Sequence, residues 1–180
     1  MEIAELPLRV LSCSESTARL VEVLQATHVN GGAVCVSLEP ADASAWETLE
    51  FSDLPTLEQL LQLACHPAMR DAAPDLQIPE RVECTEDWQL TNPLAMEGDL
   101  AYQLLMGGAY DSFEGGLEEA RSLARAFIDS LLDDRVLQAS AAWCHAPWTP
   151  WFADVAWDTT YLIRDMEARR FTLLAITDSD

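Results

Sequence analysis

Thirty-one carboxylates face ten arginines and no lysine in this chain of 180 residues, a formal charge of −21, yet 49% of its residues are hydrophobic. The two facts limit each other. Charge on this scale leaves a chain unfolded when apolar content is low. Here the apolar share is ordinary for a globular protein, and six tryptophans are available to a core. A folded acidic domain is therefore expected. A chain of this length hides roughly 70% of its unfolded surface. That suffices for one domain over residues 1–180, with an irregular excursion over 67–95.

Such a field repels nucleic acid and anionic membrane and draws in basic partners. It is no detachable tail, because sixteen acids oppose four arginines in residues 1–90 and fifteen oppose six in 91–180. GC-rich coding explains arginine in place of lysine, but not the surplus of carboxylates. The charge far exceeds the magnitude of about 2–8 that keeps a small domain in solution. Docking on a cationic surface and plain solubility both fit it.

Cys13, Cys35, Cys65, Cys84 and Cys144 are odd in number and scattered, with no Cys-x-x-Cys. Reduced thiols fit that pattern. Met1-Glu2-Ile3-Ala4-Glu5 lacks the charged and apolar regions of a signal peptide. No apolar run reaches the roughly 18 residues of a membrane span. A cytoplasmic protein is the expectation.

Periodicity assigns the elements. Residues 6–12 read as a short strand, 16–28 as a helix after the Ser14–Thr17 caps, and 33–38 as a strand. Trp46, Leu49 and Phe51 suit a strand or a core contact. Thr56 can cap a helix striped by Leu57, Leu60, Leu61 and Ala64, which His66-Pro67 ends. Pro67, Pro74, Pro79 and Pro93 break up the segment after it, with a short strand at Val82-Glu83-Cys84. A helix starts near Met96 and ends at Gly107-Gly108. The strongest helical pattern runs from Leu117 to Leu132, with Arg125 and Asp129 paired on its wet side. Residues 136–143, 159–163 and 171–176 read as strands, the last two joined by a longer connector, Arg164 to Arg170. The sum is α+β: a mostly antiparallel sheet with about four helices packed on one face.

Few residues carry a chemical signature. Cys144-His145 invites a nucleophile and base, but adjacent side chains in a strand point to opposite faces. A cysteine hydrolase would recruit His28 or His66 instead. The His and Cys spacings match no zinc pattern, and without lysine the Gly-Gly pairs make no phosphate loop. Paired carboxylates are too abundant to single out a glycosidase. No catalytic residue, metal or cofactor is assigned. The densest cluster runs from Trp143 to Asp158, with four tryptophans and two prolines. Burial is the common fate of such rings. Trp148 and Trp151 flank a Thr-Pro turn and are expected to be the most exposed.

Trp151-Phe-Ala-Asp-Val-Ala-Trp-Asp-Thr-Thr-Tyr-Leu-Ile163 and Phe171-Thr-Leu-Leu-Ala-Ile-Thr-Asp-Ser-Asp180 resemble small bacterial immunity proteins of polymorphic-toxin and contact-inhibition systems. The resemblance covers the last third of the chain and implies a non-enzymatic protein that blocks a basic toxin domain. Carboxylates would meet toxin lysine and arginine, and aromatic anchors would supply the buried centre. On charge and expected exposure, the contacts would be Asp111, Glu114, Glu118, Glu119, Trp148, Trp151, Asp154 and Asp158. The alternatives are a DNA-mimic, anti-restriction-type inhibitor, a cysteine- or metal-dependent hydrolase, and an assembly protein. A hydrolase would require one of the three histidines to meet a cysteine.

Overall fold

The computed structural model describes residues 3–42 and 56–180. The expectation for Trp46, Leu49 and Phe51 lies outside them. The strands are β1 (Leu8–Val10), β2 (Gly32–Pro40), β3 (Trp88–Thr91), β4 (Ala139–Cys144), β5 (Thr159–Asp165) and β6 (Arg170–Thr177). The helices are α1 (Glu15–Thr27), α2 (Thr56–Ala64), α3 (Pro67–Ala72), α4 (Pro93–Met106) and α5 (Gly116–Leu132). The strands form one sheet in the order β1-β2-β6-β5-β4-β3, and every neighbouring pair is antiparallel. This is the α+β class expected from the sequence.

The helices, however, lie on both faces of the sheet. Side chains alternate along a strand, so β6 sends Phe171, Leu173 and Ala175 to one side and Leu174 and Ile176 to the other. The first set packs with Leu60, Leu63 and Ala64 of α2 and Met69 of α3. The second packs with Leu20 and Leu24 of α1, Leu100 and Leu104 of α4, and Phe127 and Ile128 of α5. Every residue of β5 is buried, and so is β6 after Arg170. That explains the unbroken apolar run at 171–176, since a strand covered on one face only would alternate with polar residues.

Local chemistry sets the helix ends. Ser14 caps α1 by accepting the Thr17 N–H at 3.1 Å. The α4 helix begins at Pro93, three residues before the Met96 expected from periodicity, because Asn92 accepts the Ala95 N–H at 3.0 Å and Pro93 fits the first turn. Pro67 ends α2 as expected but also opens α3. The Val82–Cys84 strand does not form: Val82 is buried in the core, and the edge strand is β3. The strand expected from 136 starts at Ala139, after a 3-10 turn. Arg164 and Asp165 belong to β5 and Arg170 opens β6, so the hairpin turn is shorter than expected. It is fastened by Asp165 Oδ1, which accepts the N–H groups of Glu167 at 3.0 Å and Ala168 at 2.9 Å. Arg164 turns inward and donates to Gln59 on α2. Arg125 and Asp129 lie 3.5 Å apart, as expected.

His66 joins α2 and α3. Its Nδ1 accepts the Ala68 N–H at 3.0 Å, and its Nε2 donates to the Leu6 carbonyl at 3.1 Å. That pair of bonds needs the neutral ring, since a proton on Nδ1 would face the Ala68 N–H. Burial lowers the basicity of His66, with the Arg70 charge adding to it and the Leu6 bond opposing. His28, also buried, is lowered chiefly by burial. A folded-state value below the usual 6.5 means that the unfolded chain takes the proton first as pH falls. Stability from the neutral rings is therefore present above 6.5 and lost on acidification below it. In denaturant titrations from neutrality to about pH 5, His66→Asn, which keeps a capping acceptor, should lose less stability than the unmodified chain. Equal slopes would show that His66 is not coupled to folding.

Candidate functional site

The end of the sheet where β6 exits gathers two segments that are far apart in sequence. One is the loop between α4 and α5, and the other is the tryptophan-rich connection between β4 and β5. Asp178, fully buried, accepts the Asn30 N–H at 2.9 Å and the Ala109 N–H at 2.7 Å. Next to it, the Thr177 hydroxyl donates to Asp158 Oδ1 at 2.5 Å, and Asp158 Oδ2 accepts the Val155 N–H at 3.1 Å. Two consecutive residues thus hold one loop each. Gly108 completes the fit, because a β-carbon there would overlap the Thr27 carbonyl and the Asp178 carboxylate.

Asp158 is consequently an internal strut, 1% exposed. This corrects its assignment as a partner contact: its oxygens are taken up by Thr177 and Val155. Trp148 and Trp151 are also not the free rings expected from the turn sequence. Both are half-buried against the α2–α3 side of the core. Trp148 packs edge-on to Trp88 at 5.5 Å and donates its indole N–H to Thr160 at 2.8 Å, while Trp151 meets Phe152 edge-on at 5.2 Å. Asp154 is exposed and has a left-handed backbone, φ 59°.

Asp111, Glu114, Glu118 and Glu119 are all exposed. They succeed one another along the α4–α5 loop and the first turn of α5, forming a ridge between two grooves. One groove, about 510 Å³, lies against α1 and is lined by Glu22, Phe113, Glu114 and Glu119. The other, about 610 Å³, lies between α4 and α5, with Leu94, Tyr102 and Leu117 beside Glu97 and Glu118. The few cations nearby are engaged: Arg19 pairs with Glu22 at 2.7 Å and Arg121 with Glu118 at 3.8 Å. The outcome is a negative ridge flanked by accessible apolar side chains, a composition suited to a cationic protein surface with an apolar anchor.

Sequence reasoning missed the second groove. Leu94, Tyr102 and Met106 are exposed on α4, opposite the inward Met96, Leu100 and Leu104. The signal was a second apolar stripe at four-residue spacing on a helix whose inner face was already accounted for. Glu22, on another helix, carried no such signal.

Among the described residues, no thiol hydrogen-bonds an imidazole. Cys144 Sγ interacts with the backbone of Ala146, whereas His145 bonds Thr159 through Nδ1 at 3.0 Å. His28 bonds Leu24 and Thr27, and His66 bonds Leu6 and Ala68. Burial pushes the Cys144 thiol up, and Cys65 to about 11, away from the thiolate form. Among the described residues, no group of three or more His, Cys, Asp or Glu side chains is placed to hold a metal ion, and no helix is long and apolar enough to cross a membrane. No protein-family model and no curated protein matches the chain.

Two variants separate the strut from the ridge. Asp178→Ala strands two backbone N–H groups, at about 1–3 kcal/mol each, and should speed amide exchange at Asn30 and Ala109. Glu118→Gln with Glu119→Gln should leave the thermal midpoint within about 2 °C. A large drop for the double variant would identify the ridge carboxylates as part of the folded framework instead.

Proposed function

We propose that this protein is a non-enzymatic, acidic immunity-type protein of the cytoplasm that binds and blocks a basic bacterial toxin domain. The observation that carries the reading is the ridge Asp111–Glu114–Glu118–Glu119 between two grooves with apolar walls. Carboxylates there steer and orient a lysine- and arginine-rich surface, and Leu94, Tyr102 and Leu117 offer contact area to an apolar anchor. Trp148 and Trp151 keep one side of their rings accessible on the β4–β5 connection, which also carries the exposed Asp154. Blocking needs no chemistry from the inhibitor: a rigid acidic face seated over a cationic cleft excludes the substrate. The buried thiols of Cys65 and Cys144 resist deprotonation and have no hydrogen bond to an imidazole, which argues against the hydrolase alternative.

The test is co-purification with a basic toxin domain encoded beside the gene, followed by titration. Binding should weaken steeply as salt rises. Neutralising the four ridge acids together (Asp111→Asn, Glu114→Gln, Glu118→Gln, Glu119→Gln) should weaken it on the order of tenfold or more, at about 0.2–1 kcal/mol for each exposed pair. Affinity indifferent to salt and to all four substitutions would overturn the reading. Competition by duplex DNA for a nuclease unrelated to any toxin would point to mimicry of DNA.

A further inference from the structure

At the β1 edge of the sheet, the register of β1 and β2 points Cys13 toward Cys35. The ladder pairs Leu8 with Pro40, Arg9 with Glu39 and Val10 with Leu38, and the Leu11 N–H continues it by donating to the Ser37 carbonyl at 2.8 Å. β1 itself ends at Val10; carried two places past the Leu11 bond, the same register would set Cys13 opposite Cys35. Directly opposed residues of an antiparallel pair point to the same face, with Cα atoms about 4.5–5.5 Å apart, inside the range of about 4.4–6.8 Å that a disulfide spans. Independently of the register, both thiols line one cavity of about 390 Å³, whose polar wall includes Ser14, Thr17 and Ser130. Cys13 is exposed at its mouth and Cys35 is half-buried behind it. Ser14 fixes Cys13 in place by capping α1.

We infer that Cys13 and Cys35 are an oxidisable cross-strand pair, and that a small disulfide such as oxidised glutathione converts them to a bond tying the entry of α1 to β2. The Cys13 sulfur, having given up its proton, attacks one sulfur of the glutathione disulfide. That bond breaks and the first glutathione leaves, taking a proton. The Cys35 sulfur, losing its own proton, then attacks the Cys13 sulfur and expels the second glutathione. The protein loses two hydrogens and the oxidant becomes two thiols. Access sets the order: the oxidant reaches exposed Cys13, while Cys35, pushed up to about 12 mainly by burial, resolves the adduct. Such a pair is a slow covalent modification site and not a fast exchange catalyst, since the thiolate is the reacting form.

The experiment uses the full chain carrying Cys84→Ser, which removes the other exposed thiol, incubated with oxidised glutathione. The expected result is a protein two hydrogens lighter, without retained glutathione, and a Cys13–Cys35 peptide in non-reducing digests that dithiothreitol separates. The thermal midpoint should rise on oxidation, because a closed loop restricts the unfolded chain. Cys35→Ser should stop at a Cys13–glutathione adduct. Cys13→Ser, at an exposed position, should leave Cys35 reduced. A stable glutathione adduct on Cys13 in the chain that retains Cys35 would overturn the inference. So would dimers linked through Cys13, or a bond from Cys13 to any other cysteine.

Discussion

The fold rests on the burial of the β5–β6 hairpin from both sides. A sheet with one wet face could leave its polar residues in solvent. Here, the central strands present Phe171, Leu173 and Leu162 to one layer of helices and Tyr161, Ile163, Leu174 and Ile176 to another. Hydrophobic burial in two layers gives an acidic chain enough apolar contact to offset the mutual repulsion of its surface. It also forces the polar groups of these strands to find partners inside. Arg164 reaches Gln59, Asp165 holds its own turn and receives Arg135 at 2.9 Å, and the Tyr161 hydroxyl donates to Asp99 at 2.5 Å. Burial, with the Asp99 charge beside it, holds that phenol in its protonated form.

The same two layers decide which side chains remain in solvent. Side chains of the central strands are committed to the core, so those that stay in solvent come from the helices and the connections. The exit of β6 gathers two of those connections and clamps each with a buried carboxylate, Asp178 for one and Asp158 for the other. Acids in this protein thus do two different jobs. Buried ones organise backbone, and those on the α4–α5 loop remain in solvent.

That division explains which parts were legible in the sequence. The α5 stripe, the β-rich runs at 159–163 and 171–176, and the Ser14 cap are local patterns, and each lies where periodicity puts it. α2 lies where its leucine stripe puts it, but periodicity cannot say which face of the sheet it covers, and α3 was hidden because it has only six residues and opens on a proline that looks like a terminator. Asp158 and Asp154 are indistinguishable in sequence. Only the Thr177 hydroxyl, reached through strand pairing, makes one internal and leaves the other exposed. Trp148 misleads for a related reason: the prolines around it describe a turn, whereas its indole is drawn inward by Trp88 and Thr160 from other strands. Long-range pairing decides these cases, and composition has no access to it.

The acidic ridge is also uneven in its electrostatics. Glu118 and Glu119 lie in the first turn of α5, at the positive end of the helix macrodipole. The helix axis favours negative charge there, and Glu118 has an arginine close by as well. Asp111 lies farther from that end, four residues before the Gly115 cap. An incoming guanidinium or ammonium group therefore gains more at the loop than at the helix start. Under the proposed reading, that gradient would orient a bound protein, with its most strongly cationic part over the α4–α5 loop and its less charged flank along the helix.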